Sequence, residues 1–236
     1  MENAISSPVS SRILYEDNHI IVINKLPSEI VQGDKTGDMP LSDLVKVYIA
    51  EKYNKPGNVF LGVVHRVDRP VSGAVIFART SKALARLNEM LKKRELKKRY
   101  WAVVKNKPVE KEGMLVNALK KNEKQNKSYV VEEGTAGSKN AELYYKLIAQ
   151  SQRYYLLEVE LITGRHHQVR AQLSAIGCPI KGDLKYGFDR SNKDASIHLH
   201  ARELSFLHPV KKREIKLTAP VPDDELWKVF QDISPG

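Results

Sequence analysis

The chain is predicted to fold as an α+β domain dominated by a large mixed sheet. Three observations predict it. Short β-rich runs recur from Ile13 to Leu217, segments with helical spacing of apolar residues fall between some of them, and no repeat or low-complexity linker divides the sequence. At 236 residues the chain is long enough for one large domain with a full core, or for two small ones.

Ile13-Leu14-Tyr15 and Ile20-Ile21-Val22-Ile23 read as two strands, with Glu16-Asp17-Asn18-His19 as the turn between them and Lys25-Leu26-Pro27-Ser28 closing the hairpin. Gln32 to Pro40 is rich in Gly and Asp and reads as a loop. Leu41, Leu44, Val45, Tyr48 and Ile49 then recur at helical spacing, and Lys55-Pro56-Gly57 breaks the chain. Val59 to Val64 reads as a strand, a loop centred on Asp68 follows, and Val75 to Ala78 reads as a buried strand. Ser81 is the expected N-cap of a helix with Leu84, Leu87 and Leu91 on one face, ending in the basic run Lys92, Lys93, Arg94, Lys97, Lys98 and Arg99. Tyr100 to Val104 returns to strand. Glu110 to Lys139 is polar and Lys-rich, and reads as hairpins and loops at the edge of the sheet. Tyr154 to Ile162 alternates and reads as a strand. Gly164 precedes a helix carrying Val169, Leu173 and Ile176, with Gly177 as its left-handed stop. Leu199 to Phe206 and Glu214 to Leu217 read as strands, and Asp223 to Phe230 as a terminal helix.

Composition narrows the class. No segment approaches the roughly 18 consecutive apolar residues of a membrane helix. Met1 to Ser11 is polar and Ser-rich, without the basic start and apolar stretch of a signal peptide. Residues 1–12 are expected to be a flexible segment ahead of a catalytic domain over 13–236. The single cysteine, Cys178, excludes an intramolecular disulfide and fits a reducing compartment, so a cytoplasmic protein is expected. The formal net charge of +11 suggests a polyanionic partner.

The most informative run is His65-Arg66-Val67-Asp68-Arg69-Pro70-Val71-Ser72-Gly73. One carboxylate lies between two arginines, and nearby positive charge favours its ionised form. Such a group suits a nucleophile that works on a polyanion. On charge alone the run is equally a surface ion pair.

His65-Arg66-Val67-Asp68-Arg69 with Ser72-Gly73 resembles the signature of the RluA-type (ribosomal large subunit) pseudouridine synthases. Further blocks fit the same family in the same order: Lys97-Lys98-Arg99-Tyr100-Trp101-Ala102-Val103-Val104, then Leu161-Ile162-Thr163-Gly164-Arg165-His166-His167-Gln168-Val169-Arg170, then Gly177 to Asp183, and Leu199 to Leu204. The resemblance runs from about Ile13 to about Pro222. It implies a mostly antiparallel sheet with flanking helices and a central active-site cleft. It implies the isomerisation of uridine to pseudouridine in ribosomal or transfer RNA, with no cofactor and no metal, by a protein expected to be a monomer. Asp68 matches the family's catalytic carboxylate; attack on the uracil ring, attack on C1′ and a glycal route all stay open. Arg170 matches the arginine paired with that carboxylate, although by itself it could lie on an exposed helix face. Tyr100 matches the active-site tyrosine, which can stack on the base and relay the C5 proton; an isolated Tyr in a strand is also ordinary core.

The remaining residues assigned to substrate binding are Arg66, Arg69, Ile162, His167 and Gln168. Arg66 matches an arginine that fills the space left by a flipped base, and is otherwise a phosphate contact. Ile162 lines the base pocket or belongs to the core. His167 and Gln168 are expected to hold the Arg170 helix against the Asp68 loop. The spacings of His65, His166, His167, His198, His200 and Cys178 match no zinc template. The Lys92–Arg99 run is either a solvated helix end or a phosphate-tracking edge. Many relatives carry an S4-type RNA-binding domain at the N-terminus, and none is expected here. Three positions depart from the common pattern: Val67 is a mild change, Pro70 is expected to stiffen the loop, and Ala171-Gln172 leaves the chemistry intact but puts substrate identity in doubt. A catalytically silent RNA-binding module is the second reading, and the joint presence of Asp68, Tyr100 and Arg170 argues against it. A basic hydrolase is the third, and the chain lacks Gly-x-Ser-x-Gly and His-Glu-x-x-His motifs.

Overall fold

Eleven strands and four α-helices appear in the computed structural model, which describes residues 8–34 and 36–233. The expected α+β, sheet-dominated class is found. Of the expected flexible start, residues 1–7 lie outside the described residues, while Val9–Arg12 forms a 3-10 turn. Arg12 is buried there, its guanidinium donating to both oxygens of Glu29 at 2.7 and 2.9 Å. The chain forms two compact units. One ends at Leu96 and takes in Leu204–Pro220; the other spans Lys97–Glu203 and resumes at Val221.

In the first unit β1 (Ile13–Glu16) and β2 (Ile20–Lys25) form the expected antiparallel hairpin. Asp17 makes the turn, its Oδ1 accepting from the backbone N–H of His19 and Ile20. Helix α1 (Leu41–Lys52) follows the loop. The expected strand over Val59–Val64 shrinks to β3 (Gly62–Val63). β4 (Ser72–Ala78) is buried at every residue and pairs antiparallel with β2 in unbroken register from Ile20–Ala78 to Lys25–Gly73. Gly73 has φ of 113°, a left-handed conformation that favours glycine at the exit of the Asp68 loop. Thr80, not Ser81, caps α2 (Ser81–Lys92), its hydroxyl accepting from the Ala83 N–H at 3.2 Å. The core of this unit joins Ile20, Val22, Ile76, Leu87, Met90 and Leu96 to Phe206 and to Ile215 of the strand at Glu214–Thr218.

The second unit is built on β5 (Lys97–Val104), β6 (Glu112–Asn122), β7 (Lys127–Val131), β8 (Lys139–Gln150) and β9 (Tyr155–Leu161). They lie in the order β5-β9-β8-β6-β7, with each of these pairings antiparallel. The Lys-rich stretch is the hairpin β6–β7 at the end of that order, as expected. β8, twelve residues long, is a strand the sequence reading did not single out. α3 (Gln168–Ala175) ends on Ile176 and then Gly177 at φ of 75°, as expected. β10 (Leu199–Leu207) and β11 (Glu214–Thr218) complete the strands. The last helix, α4 (Glu225–Ile233), starts later than expected because Asp224 caps it, accepting from the N–H of Leu226 and Trp227. Trp227 and Phe230 cover Trp101, Val103 and Leu156, so one face of β5 is occupied by α4. No helix among the described residues is long and apolar enough to cross a membrane.

Candidate active site

Asp68 sits in the first unit, half-buried on the loop between β3 and β4, with Arg66 and Arg69 exposed on either side. Val67 and Val71 are buried and anchor the loop from below. The Val71 N–H donates to the Asp68 carbonyl at 3.0 Å, closing a turn at the carboxylate, and the Ser28 N–H donates to the Arg69 carbonyl at 2.9 Å. His65 Nε2 accepts from the Ile76 N–H at 3.3 Å, tying the loop's start to β4. Arg69 makes a close ion pair with Asp38.

Beneath this loop lies Lys25. The sequence placed it in the segment that closes the first hairpin; the structure buries its side chain completely, because β2 continues through it to pair with Gly73. Its Nζ donates to the carbonyls of Val71 at 2.5 Å, Leu26 at 2.8 Å and Arg69 at 3.2 Å. Three acceptors match the three N–H bonds of an ammonium, whereas a neutral amine has two. Burial pulls its pKa down to about 7, opposed by the charges of Glu29 and Asp68. Lys25 therefore fixes the backbone just after Asp68, at Arg69 and Val71, and adds positive charge near the carboxylate.

Tyr100, Ile162, His167, Gln168 and Arg170 belong to the second unit. Tyr100 is buried on β5, opposite Val159 of β9. Strand alternation turns it away from Trp101 and Val103, and so away from the face that α4 covers. Ile162 is half-buried and leaves β9 at a tight turn. The N–H groups of Ile162 and Thr163 both donate to the Glu142 carbonyl at 3.1 Å, and the Thr163 hydroxyl accepts from the Glu142 N–H at 2.8 Å. Gln168 locks this turn to α3. Its Oε1 accepts from the Thr163 hydroxyl and the Arg165 N–H, and its Nε2 donates to the Glu142 carbonyl at 3.0 Å. Gln168 is thus engaged with its own protein's backbone.

Arg170 does not lie on an exposed helix face; it is buried. Its Nε and Nη2 donate to the two oxygens of Asp183, at 2.7 and 2.8 Å, and its guanidinium lies over the Tyr186 ring at 5.0 Å. The fork uses two of the five N–H donors of the arginine. The Tyr186 hydroxyl accepts from the Ser128 N–H at 2.9 Å, lies 3.1 Å from the Ser128 carbonyl and 3.0 Å from His167 Nδ1. His167 has a left-handed φ of 52°, stacks on His166 at 3.8 Å and is buried. Burial, then the Arg170 charge, pushes its pKa down to about 2, so the ring is neutral at ordinary pH. Sequence reasoning missed three residues that hold these groups: Lys25, Asp183 and Tyr186. Among the described residues no group of three or more His, Cys, Asp or Glu could hold a metal ion.

The model of the RNA pseudouridylate synthases matches residues 19–175, a span that holds Asp68, Tyr100 and Arg170. The chain belongs to the RluA-type family of RNA pseudouridine synthases. It is 34% identical over 235 residues to ribosomal large subunit pseudouridine synthase D of Xylella fastidiosa, covering 94% of this chain and 69% of that protein. It is 33% identical over 218 residues to the uncharacterized RNA pseudouridine synthase YhcT of Bacillus subtilis, covering 90% and 69%. The structure of human RNA pseudouridylate synthase domain containing 4 superposes with a TM-score of 0.79 and 22% identity over 94% of this chain and 93% of that one, which speaks to the fold. An RNA pseudouridine synthase is an isomerase.

Proposed function

We propose that the enzyme isomerises specific uridines in ribosomal or transfer RNA, with Asp68 as the catalytic carboxylate and the target uridine flipped out of its stack. The observation that carries this reading is Asp68 on a turn whose backbone Lys25 ties down at two carbonyls, inside the span matched by the family. The reaction breaks the N1–C1′ bond, joins C5 to C1′, loses the C5 proton to water and takes one from water at N1. Atoms and electrons balance within the nucleotide, so a carboxylate, a grip on the detached base and a proton acceptor suffice. Asp68 supplies the carboxylate. Tyr100 stacks on the base and relays the C5 proton through its hydroxyl. Arg170, oriented by Asp183, is assigned as the cation that orients the catalytic carboxylate. Arg66 and Arg69 are exposed and suit the RNA side of the loop. Ile162 contacts the uracil, and His167 and Gln168 hold α3 in position for Arg170. Unstacking the uridine costs a few kcal/mol, which the cationic surface recovers through phosphate contacts.

The large-subunit names of relatives favour ribosomal RNA as the first substrate to try. The test is tritium release from transcripts of large-subunit ribosomal RNA and of transfer RNA labelled at C5 of uridine. Release from at least one is expected, with pseudouridine at discrete positions. Tight binding of both transcripts without release would instead mark a silent RNA-binding module.

A further inference from the structure

Within the basic run that ends in β5, the structure separates one lysine from the others. Lys92, Lys93 and Lys97 are exposed, and Lys93 pairs with Glu89. Arg99 is half-buried between Glu160 and Glu203. Lys98 differs from both groups. It is half-buried, makes no hydrogen bond or ion pair among the described residues, and burial alone depresses its pKa, with no carboxylate opposing. The register of β5 against β9 is unbroken from Lys98–Leu161 to Val104–Tyr155, so Lys98 shares a strand face with Tyr100. The two are about 7 Å apart along the strand. The opposite face carries Trp101 and Val103 under α4. The ammonium lies against Gly164, in the loop that follows Ile162 and Thr163, and a Cβ at that position would come within 3.3 Å of Nζ. Gly164 itself is exposed, so the loop edge beside the ammonium is open.

A desolvated ammonium with no protein counter-charge is costly, and the cost is removed by an anion that arrives with the ligand. We propose that Lys98 is a phosphate-binding residue of the site, taking a phosphodiester oxygen of the RNA next to the nucleotide that Tyr100 receives. This rests on the uridine-isomerase reading, because it assumes that Tyr100 faces a nucleotide. A uracil carbonyl is a weaker partner, since it carries no full charge to answer the ammonium. Gly164 keeps the approach clear, and any side chain there crowds Nζ.

The experiment measures RNA binding against salt, and tritium release under single-turnover conditions, on an unmodified transcript of large-subunit ribosomal RNA. Lys98→Gln should lower the log–log salt slope by about 0.7 to 0.9, the contribution of one phosphate contact. It should raise the half-saturating RNA concentration about 10-fold or more while leaving the saturated rate within a few-fold. Lys98→Arg should restore the slope, and Gly164→Ala should weaken binding in the same direction as Lys98→Gln. An unchanged salt slope and half-saturation in Lys98→Gln would overturn the assignment, as would Lys98→Arg failing as badly as Lys98→Gln, which would mean packing. A lost saturated rate with intact binding would also overturn it. If the wild type releases no tritium, the isomerase reading fails, and the salt slope still decides whether Lys98 meets phosphate.

Discussion

Lys25 has three N–H bonds and three backbone carbonyls to receive them, on Leu26, Arg69 and Val71. Lys25→Met removes the cost of burying a charge but leaves the Leu26 and Val71 carbonyls without the ammonium, while the Arg69 carbonyl keeps the Ser28 N–H; the loss at buried Val71 outweighs the relieved charge. The variant is expected to lose about 1–3 kcal/mol by denaturant midpoint and to lose turnover with it, because the Asp68 turn loosens. Full stability with full activity would remove Lys25 from the account. His167 gives a pH signature. Its folded pKa, near 2, lies below the ordinary 6.5, so as pH falls below 6.5 the unfolded chain takes up a proton that the folded one refuses. The His167 contribution is therefore complete above pH 6.5 and is lost as pH drops toward 2, at up to about 1.4 kcal/mol per pH unit. Between pH 7 and pH 5 the wild type should lose about 1–2 kcal/mol more than His167→Asn, read from paired urea melts. Equal losses would mean that the ring is not held neutral. None of this was legible beforehand. Lys25 follows an apolar run at a Pro-containing turn, where a lysine is usually solvated. Asp183 and Tyr186 lie 13 and 16 positions beyond Arg170, past the end of its helix, and no local pattern ties them to it.

Among the elements, β8 was missed although Ala141, Leu143 and Tyr145 alternate as inward residues. The polar stretch before it masks its start, and the irregularity between Leu147 and Ala149 breaks the alternation at its end. The segments recognised from sequence, β1, β2, β4, β9, α1 and α3, have clean periods and clear stops. Ser81 and Asp223 missed by a residue or two because Thr80 and Asp224, each beside them, make the actual caps. β8 matters because its Glu142 receives the turn that carries Ile162, with Gln168 of α3 bridging the two. Gln168→Leu leaves the Thr163 hydroxyl, the Arg165 N–H and the Glu142 carbonyl short of a partner, and should cost about 1–3 kcal/mol. Amide exchange at Thr163 and Arg165 should quicken while Tyr100 to Val104 stays protected. Unaltered exchange in that turn would show that Gln168 is not its lock.

For the whole molecule, the family was legible because its motifs are contiguous runs, each on one loop, strand or helix start. The two units were not, because the first takes back Leu204–Pro220 after the second has begun, and no change in composition marks either crossing. The positive charge of +11 is spread along the chain, while the chemistry is assigned to a single carboxylate. Turnover should survive strong chelation, since no step of the isomerisation is assigned to a metal; loss in EDTA restored by zinc would contradict that. The division between a distributed binding surface and a single reacting group is tested most directly by Asp68→Asn, which keeps shape and removes one negative charge. Pseudouridine formation under single-turnover conditions, and RNA binding at fixed salt, are measured on the same variant. No detectable pseudouridine is expected, with RNA affinity equal to or above that of the wild type. Clear single-turnover formation of pseudouridine by Asp68→Asn would contradict that expectation.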